Sequence, residues 1–337
     1  MAGDLAAGVE SQLDEHRTEL VAYCYRMLGS AFEAEDAVQE SLVRAWRAFD
    51  KFEGRASLRS WLYRIATNVC LDMLGSSQRR ARPMDLGPAS TSDAAVPAPL
   101  PESVWIEPIP DSRVLPEGDP SQVAVARESV RLAFVAALQH LPPKQRAVLI
   151  LREVLAWSAA EVAELLDTSV ASVNSALQRA RTTLAQAEVA HTDPIRPLDA
   201  EQRDLLARYV DAFERYDMDA LAGVLHEDAT LSMPPLSLWL RGPEQIRAWM
   251  LGTGNGCRGS KLIPTAANGT PAFGQYRPSG PGGRFEPWAL NVVEVSSGRI
   301  TGVNSFLDTE RLFPLFGLPL KPPAEWARRP QTATQAR

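Results

Sequence analysis

The chain has 337 residues, a formal net charge of -6, and 45% hydrophobic and 23% charged residues, a globular composition long enough for two or three folded units. No uninterrupted apolar run reaches the ~18 residues of a membrane helix, and the opening MAGDLAAGVESQLDEH lacks the basic start and apolar core of a secretory signal, so a cytoplasmic protein away from membranes is expected. The acidic balance excludes wrapping of nucleic acid by bulk positive charge; any DNA contact must come from local clusters, with a partner supplying the remaining phosphate contacts.

Residues 8–85 read as helices throughout. LDEHRTELVAYCYRMLG stops at Gly29, AEDAVQESLVRAWRAF follows, and Gly54 marks the next break. In SWLYRIATNVCLDMLGSSQRR, from Ser60 to Arg80, Trp61, Leu62, Ile65, Ala66, Val69, Cys70, Met73 and Leu74 recur at helical spacing, leaving Arg59, Tyr63, Arg64, Thr67 and Asn68 on the other sides. Arg, Tyr and Asn on one open face can neutralise phosphate, stack on an unpaired base and bond its edge. Residues 86–122 form a Pro-rich acidic linker, with Arg113 set against Asp93, Glu102, Glu107, Asp111, Glu117 and Asp119.

Helical spacing returns over 123–190, broken at Pro142-Pro143 and at Asp167-Thr168-Ser169. Ser158 with Glu161 is spaced as a capping box, and Thr168 or Ser169 starts a second helix whose inner face is Val170, Val173, Leu177 and Leu184. Ser172, Asn174, Ser175, Gln178, Arg179 and Arg181 stay outside, where Asn, Gln and Arg can read base edges and Ser can hold phosphate: a helix-turn-helix layout. Residues 198–325 change class. A helical pair, AEQRDLLARYVDAFERYDMDALAGVL, leads into the strand-like runs ATLSM, SKLIPTAA, TPAFGQYR, PWALNVVEV and RITGVNSFL. An α+β unit follows, expected as antiparallel strands curving over a helix around an apolar cavity. Cys24, Cys70 and Cys257 are widely separated and lack metal-ligand spacing, so neither a disulfide nor a metal site nor any cofactor is expected.

Taken together, AEDAVQE at Ala34 to Glu40, WLYRIATNVCLD at Trp61 to Asp72, the Pro-rich linker, and LPPKQRAVLILREV with VNSALQRAR resemble the extracytoplasmic-function group of sigma-70 family RNA polymerase sigma factors. The resemblance implies an all-α sigma-2 helical bundle at 8–85 that holds the polymerase clamp and melts the -10 element, and an all-α sigma-4 helix-turn-helix domain at 123–190 that reads the -35 element. Its implied partners are core RNA polymerase, through the beta-prime clamp and the beta flap, and promoter DNA. Carried onto this chain, Glu35, Asp36, Gln39 and Glu40 face the polymerase, where charge sets orientation and encounter rate. The loop from Phe52 to Ser57 resembles one that captures a flipped base, an extrusion costing a few kcal/mol, with Arg55 and Ser57 as contacts. Arg64, Thr67 and Asn68 join them on the -10 DNA, while Trp61 is either a wedge at the bubble edge or a core tryptophan. Asp72 is expected to pair with an arginine, because DNA phosphate repels it. The -35 contacts are Ser172, Asn174, Ser175, Gln178, Arg179 and Arg181; Asn174 and Ala176 stand where many relatives carry basic residues, so the -35 preference does not transfer.

The linker's VWIEPIPD, with Trp105, Ile106 and Pro108, looks like a motif of sigma factors that carry an extra C-terminal domain, and the linker is either a spacer or an occupant of the polymerase RNA channel. YVDAFERYDMDALAGVLHEDATLSMPP, WLRG at Trp239 to Gly242 and GPGGRF at Gly280 to Phe285 resemble the SnoaL-like polyketide-cyclase family, with the cone-shaped fold of nuclear transport factor two. That fold hosts enzymes and non-catalytic modules alike. A catalytic reading needs a base, for which His226, Asp228 and Asp308 are the candidates. The fusion implies instead a regulatory domain, in place of a separate anti-sigma factor and with room for an unidentified small ligand, whose surfaces are Trp239, Arg241, Arg284 and the segment from Asp308 to Leu320. Two rival readings are a helix-turn-helix regulator independent of the clamp, and a SnoaL-like cyclase or isomerase tethered to DNA.

Overall fold

A computed structural model describes residues 10–54, 56–75, 79–116, 118–186, 200–323 and 326. The chain divides into two compact units: residues 1–85, 100–196 and 267–270 form the first, and residues 86–99, 197–266 and 271–337 the second. Among the described residues no helix is long and apolar enough to cross a membrane.

The first unit is helical. Helix α1 (Arg17–Leu28) is buried from Leu20 to Leu28 and ends at Gly29, whose φ of 75° is the left-handed cap conformation that glycine adopts without a Cβ penalty. Helix α2 (Ala31–Ala48) is capped by the Ser30 side chain, which accepts from Glu33 N, and α3 (Leu58–Leu74) by Ser57, which accepts from Ser60 N. Helices α4 (Pro120–Val130), α5 (Leu132–Gln139) and α6 (Pro143–Leu149) lead to α7 (Ala159–Leu165) and α8 (Val170–Gln186). The Ser158–Glu161 capping box is present as the spacing predicts.

Arg26 and Arg146, two of the buried arginines among the described residues, brace this unit. Arg26, from α1, donates through Nη2 to Ser129 Oγ at 2.6 Å. Arg146, from α6, donates to Gln139 Oε1 at 2.6 Å, to the carbonyls of Gln139 and Leu141, and to the carbonyl of Met27. Met27 lies in the last turn of α1, where carbonyls lack intrahelical partners. Burial draws both guanidinium pKa values down to about 10, with the positive charge of Arg79 adding to the effect at Arg146.

Three side chains lie on faces other than those the helical spacing assigned. Tyr63 and Thr67 are fully buried: one turn apart on α3, they meet Tyr23 of α1, which contacts the Tyr63 ring at 5.1 Å and Thr67 Oγ1 at 2.8 Å. Thr67 also donates to the Tyr63 carbonyl at 2.6 Å, so its hydroxyl is satisfied in the interior. Val170 is 44% exposed at the start of α8, whereas Val173, Leu177 and Ala180 form its inner face.

The second unit holds helices α9 (Ala200–Arg215), α10 (Met218–Val224), α11 (Pro243–Leu251) and α12 (Thr309–Leu315). Its strands are β1 (Leu225–Ser232), β2 (Trp239–Arg241), β3 (Lys261–Ala267), β4 (Thr270–Arg277), β5 (Glu286–Ser296) and β6 (Arg299–Phe306), in the order β2-β1-β6-β5-β4-β3. The sheet is mixed, not wholly antiparallel as expected: β1 runs parallel to β6. β1 lies between β2, its antiparallel neighbour, and β6, the last strand, a parallel pairing that the long connection from β1 to β6 permits. Strand β2, only three residues long, has too few positions to display alternation. Tyr209, Phe213, Leu221, Trp249, Leu231 and Val293 belong to one core where the helices meet the sheet.

Candidate nucleic-acid interface

On α2, Asp36, Gln39 and Glu40 are exposed. Glu40 accepts from Arg44 Nε at 2.7 Å, a surface pair, and Arg44 also lies 3.7 Å from Asp72, the structural pairing expected for that carboxylate. Glu35 is half-buried and bound within the unit, accepting from Arg17 Nη2 at 2.8 Å and from Arg113 Nη1 at 3.2 Å. It positions the N-terminal part of α2 rather than standing free.

Beside α3 an open recess of about 590 Å³ lies along the loop Lys51 to Ser57, with Trp61 and Arg64 on one wall and Glu161, Glu164 and Leu165 on another. Trp61 is half-buried and stacks obliquely on Phe52 at 5.0 Å and against Phe49 at 6.4 Å. Phe52 therefore joins the aromatic floor, which sequence spacing missed because the residue lies in a loop without periodicity. Ser57 is exposed, and its hydroxyl is engaged with Ser60. Arg64 and Asn68, four residues apart, are both exposed, and Arg64 Nη2 donates to the Glu164 carbonyl at 2.5 Å. Arg55 lies outside the described residues, and Thr67 stands behind this face rather than on it.

The Glu164 contact joins α3 to the helix-turn-helix part of the same unit, and Trp157 adds two more. Trp157, 6% exposed, meets the Tyr63 ring at 5.2 Å and lies under the Arg59 guanidinium at 5.4 Å. Arg59 is itself held by Glu19 at 2.7 Å. Nothing in the sequence signals this meeting, because the two parts lie about a hundred residues apart.

On α8, Ser172, Asn174, Ser175, Gln178, Arg179 and Arg181 are all exposed, as the helical spacing requires. Ser169 accepts from Ser172 N at 3.1 Å and so starts the helix. Arg179 donates to Ser175 Oγ at 2.7 Å and Arg181 to Glu153 at 2.5 Å. These are exposed partners that a phosphate can replace, since surface ion pairs contribute about 0–1 kcal/mol.

In the second unit a cavity of about 230 Å³ is lined by Tyr209, Phe213, Trp249, Met250, Leu231 and Val303, with Gln275, Asn291, Ser305 and Arg277 as its polar groups. Burial pushes the Cys257 thiol pKa up there, against the opposing hydrogen bonds of Gln275 and Arg277. His226, Asp228 and Asp308 all lie off the cavity wall. His226 accepts from Asp228 N at 3.1 Å, Asp228 pairs with Arg241 at 2.9 Å, and Asp308 caps α12 by accepting from Arg311 N at 3.4 Å. Trp239 holds the linker piece of its own unit: its Nε1 donates to the Gly87 carbonyl at 2.9 Å and its carbonyl accepts from Ser90 N at 2.7 Å. Arg284 is exposed. Among the described residues no group of three His, Cys, Asp or Glu side chains is arranged to hold a metal ion.

Three family models match the chain in order: Sigma-70 region 2 at 13–80, Sigma-70 region 4 at 131–184, and the SnoaL-like domain at 206–303. The chain is 45% identical over 326 residues to the ECF RNA polymerase sigma factor SigG of Mycobacterium tuberculosis, covering 94% of this chain and 84% of that protein. It is 26% identical to SigJ of the same species, covering 92% of this chain and 94% of SigJ. The crystal structure of SigJ superposes with a TM-score of 0.59 at 24% identity, covering 92% of this chain and 99% of that one, a likeness of fold. With that identity sustained over nearly its whole length, and with two helical sigma regions followed by a SnoaL-like domain, the chain belongs to the extracytoplasmic-function sigma factors of RNA polymerase and acts in transcription initiation.

Proposed function

We propose that residues 8–85 bind the polymerase clamp through Asp36, Gln39 and Glu40 of α2 and engage the melted -10 element through the α3 recess. Residues 123–190 then read the -35 element through α8, with residues 86–122 as the linker and 198–325 as a regulatory domain. The observation that carries this reading is the recess itself: Phe52 and Trp61, both lining it, lie ring to ring at 5.0 Å, with Arg64 and Asn68 exposed on α3. Stacking is sequence-tolerant and contributes about 1–3 kcal/mol per base, enough to offset the extrusion of one unpaired base. Arg64 then neutralises phosphate and Asn68 bonds a base edge. Ser57 and Arg55 belong to the same loop, and Thr67 positions α3 from behind. On α8, Asn174, Gln178 and Arg179 approach base edges, while Ser172, Ser175 and Arg181 hold phosphates.

The first unit's arrangement is a closed form of this activity. Elements centred at -10 and -35 lie about 25 base pairs apart, or about 85 Å at ~3.4 Å per base pair, whereas Arg64 touches Glu164 here. Reading both elements at once requires α3 and the helix-turn-helix to part. Core polymerase, binding only the open form, supplies the differential affinity. The C-terminal domain biases that opening without a separate anti-sigma protein and without catalysis. The work is done in the cytoplasm, where the polymerase is.

Run-off transcription with purified core polymerase, on fragments of the host genome, tests the reading. Wild-type protein initiates at specific sites; Asn68→Ala and Arg64→Ala lose open-complex formation while retaining polymerase binding. Normal promoter opening by both variants would show that the wrong face has been assigned. Removal of residues 196–337 is expected to change regulation without abolishing initiation.

A further inference from the structure

The body of the C-terminal cavity is apolar, formed by Tyr209, Phe213, Trp249 and Leu231, and Gln275 and Asn291 are among its polar groups. These two amides end an ordered relay that starts behind the wall at Ser260. Ser260 Oγ donates to the Cys257 carbonyl at 2.7 Å, Gln275 Nε2 donates to Ser260 Oγ at 3.0 Å, and Asn291 Nδ2 donates to Gln275 Oε1 at 3.1 Å. Each bond orients the next amide, so the Asn291 carboxamide has its NH₂ engaged and its Oδ1 left over. That oxygen is buried with no partner, and Asn291 is 1% exposed. A buried acceptor without a donor costs about 1–3 kcal/mol, and such groups in native structures mark a ligand or a functional constraint.

The free atom selects the ligand. A carbonyl oxygen accepts hydrogen bonds and repels anions, so a hydroxyl fits it and a carboxylate does not. Arg277, on the same cavity wall, is stacked 3.4 Å from the Trp288 ring centroid and its Nε is likewise buried without a partner, so a hydroxyl, which can donate to Asn291 Oδ1 and accept from Arg277 Nε, suits both groups. Size follows from the volume: a dry apolar cavity of roughly 150 Å³ accepts benzene, and this one measures about 230 Å³, room for a second ring.

One further side chain ties the cavity to the rest of the sequence. Val96, from the linker, is among the cavity residues and is 50% exposed. Its segment, 86–99, is held on the second unit by Trp239 and by Ser92 N, which donates to Gln245 Oε1 at 2.9 Å. We propose that this cavity binds a neutral one- or two-ring molecule whose hydroxyl donates to Asn291 Oδ1 and whose apolar body covers Val96. Occupancy therefore tightens residues 86–99, the stretch of chain that leads from the -10 domain toward the -35 domain. The inference deepens the regulatory reading of the C-terminal domain and rests on it for its consequence, but binding is measured without transcription.

The test is calorimetric titration of the full chain with 2-naphthol and with 2-methoxynaphthalene, which differ in the single donor. The expected result is binding of 2-naphthol about tenfold or more tighter than its methyl ether. In Asn291→Leu that ratio falls to near one, through loss of 2-naphthol affinity alone. Should Asn291→Leu not fold, Met233→Trp, which fills the cavity wall, is expected to remove binding of both probes. Saturating 2-naphthol is expected to slow limited proteolysis within residues 86–99. No binding, equal affinity for the two probes, a ratio unchanged in Asn291→Leu, full binding by Met233→Trp, or unchanged or faster cleavage of the linker each overturns the proposal. If binding fails while removal of residues 196–337 still alters regulation, the ligand is refuted and the regulatory domain stands.

Discussion

Trp157→Leu should open the first unit. The Trp157 ring meets Tyr63 at 5.2 Å and Arg59 at 5.4 Å, the aromatic part of the joint between α3 and the helix-turn-helix. An aromatic pair contributes about 0.5–1.5 kcal/mol and a partly exposed cation-π contact about 0.5–1 kcal/mol. Their sum, about 1–2.5 kcal/mol, changes the open-to-closed ratio by roughly 5- to 60-fold at ~1.4 kcal/mol per decade. Leucine keeps an apolar side chain against the core, and because the indole nitrogen is buried without a partner, no hydrogen bond is lost. Spin labels on Arg47→Cys and Thr182→Cys, both exposed, report the distance between the two helical regions. Anisotropy with a labelled single strand reports access to the α3 recess. A longer distance population and tighter single-strand binding are expected together. A folded Trp157→Leu protein with the wild-type distance distribution and wild-type DNA affinity would refute the view that these contacts hold the helix-turn-helix against α3.

Three further outcomes are expected. Ser158→Ala removes the acceptor for Glu161 N and should cost about 1 kcal/mol, read as a lower denaturation midpoint with α8 still formed by circular dichroism. In Gly254→Ala the new Cβ would meet the Trp249 ring at 2.9 Å, an overpacking that costs about 1–3 kcal/mol, so the Tm should fall and 2-naphthol binding weaken. Acid should destabilise the first unit in two windows. Burial and the cations Arg79 and Arg82 lower the His140 pKa against the opposing pull of Asp85, so this group's contribution is complete above the unfolded value of about 6.5 and is lost as pH falls from there through the lower folded value. Asp85 is lowered because its ion pair and hydrogen bonds with Arg82 outweigh the opposing effect of burial; its contribution is complete above the unfolded carboxylate pKa and disappears as pH falls through the lower folded value. Denaturant titrations across pH check both, and stability that rises on acidification below pH 6.5 would contradict the assigned signs.

Much of the molecule is legible before folding. Helical spacing, the Gly29 stop, the Ser158–Glu161 box and the outer face of α8 are local properties, set by side chains within a turn or two of one another, and they stand as read. Five strands are equally plain, because alternating and β-branched runs between turn residues declare themselves. The short β2 and the loop residue Phe52 escape because neither has enough neighbours to display a period.

What the sequence determined by itself is therefore the set of helices and strands, their caps and most of their inner and outer faces, since each depends on spacing along one segment. The tertiary structure alone decided the positions fixed by a second segment. Thr67 and Tyr63 turn inward because Tyr23 arrives from α1. Arg64 meets Glu164, and Trp157 meets Tyr63, across about a hundred residues. The linker divides at about residue 100, its first part joining the SnoaL-like unit. Asn291 Oδ1 is left unpartnered because a relay spread over Cys257, Ser260 and Gln275 engages its amide nitrogen. Burial and hydrogen-bond satisfaction are properties of where segments meet, and spacing along a single segment carries no record of that.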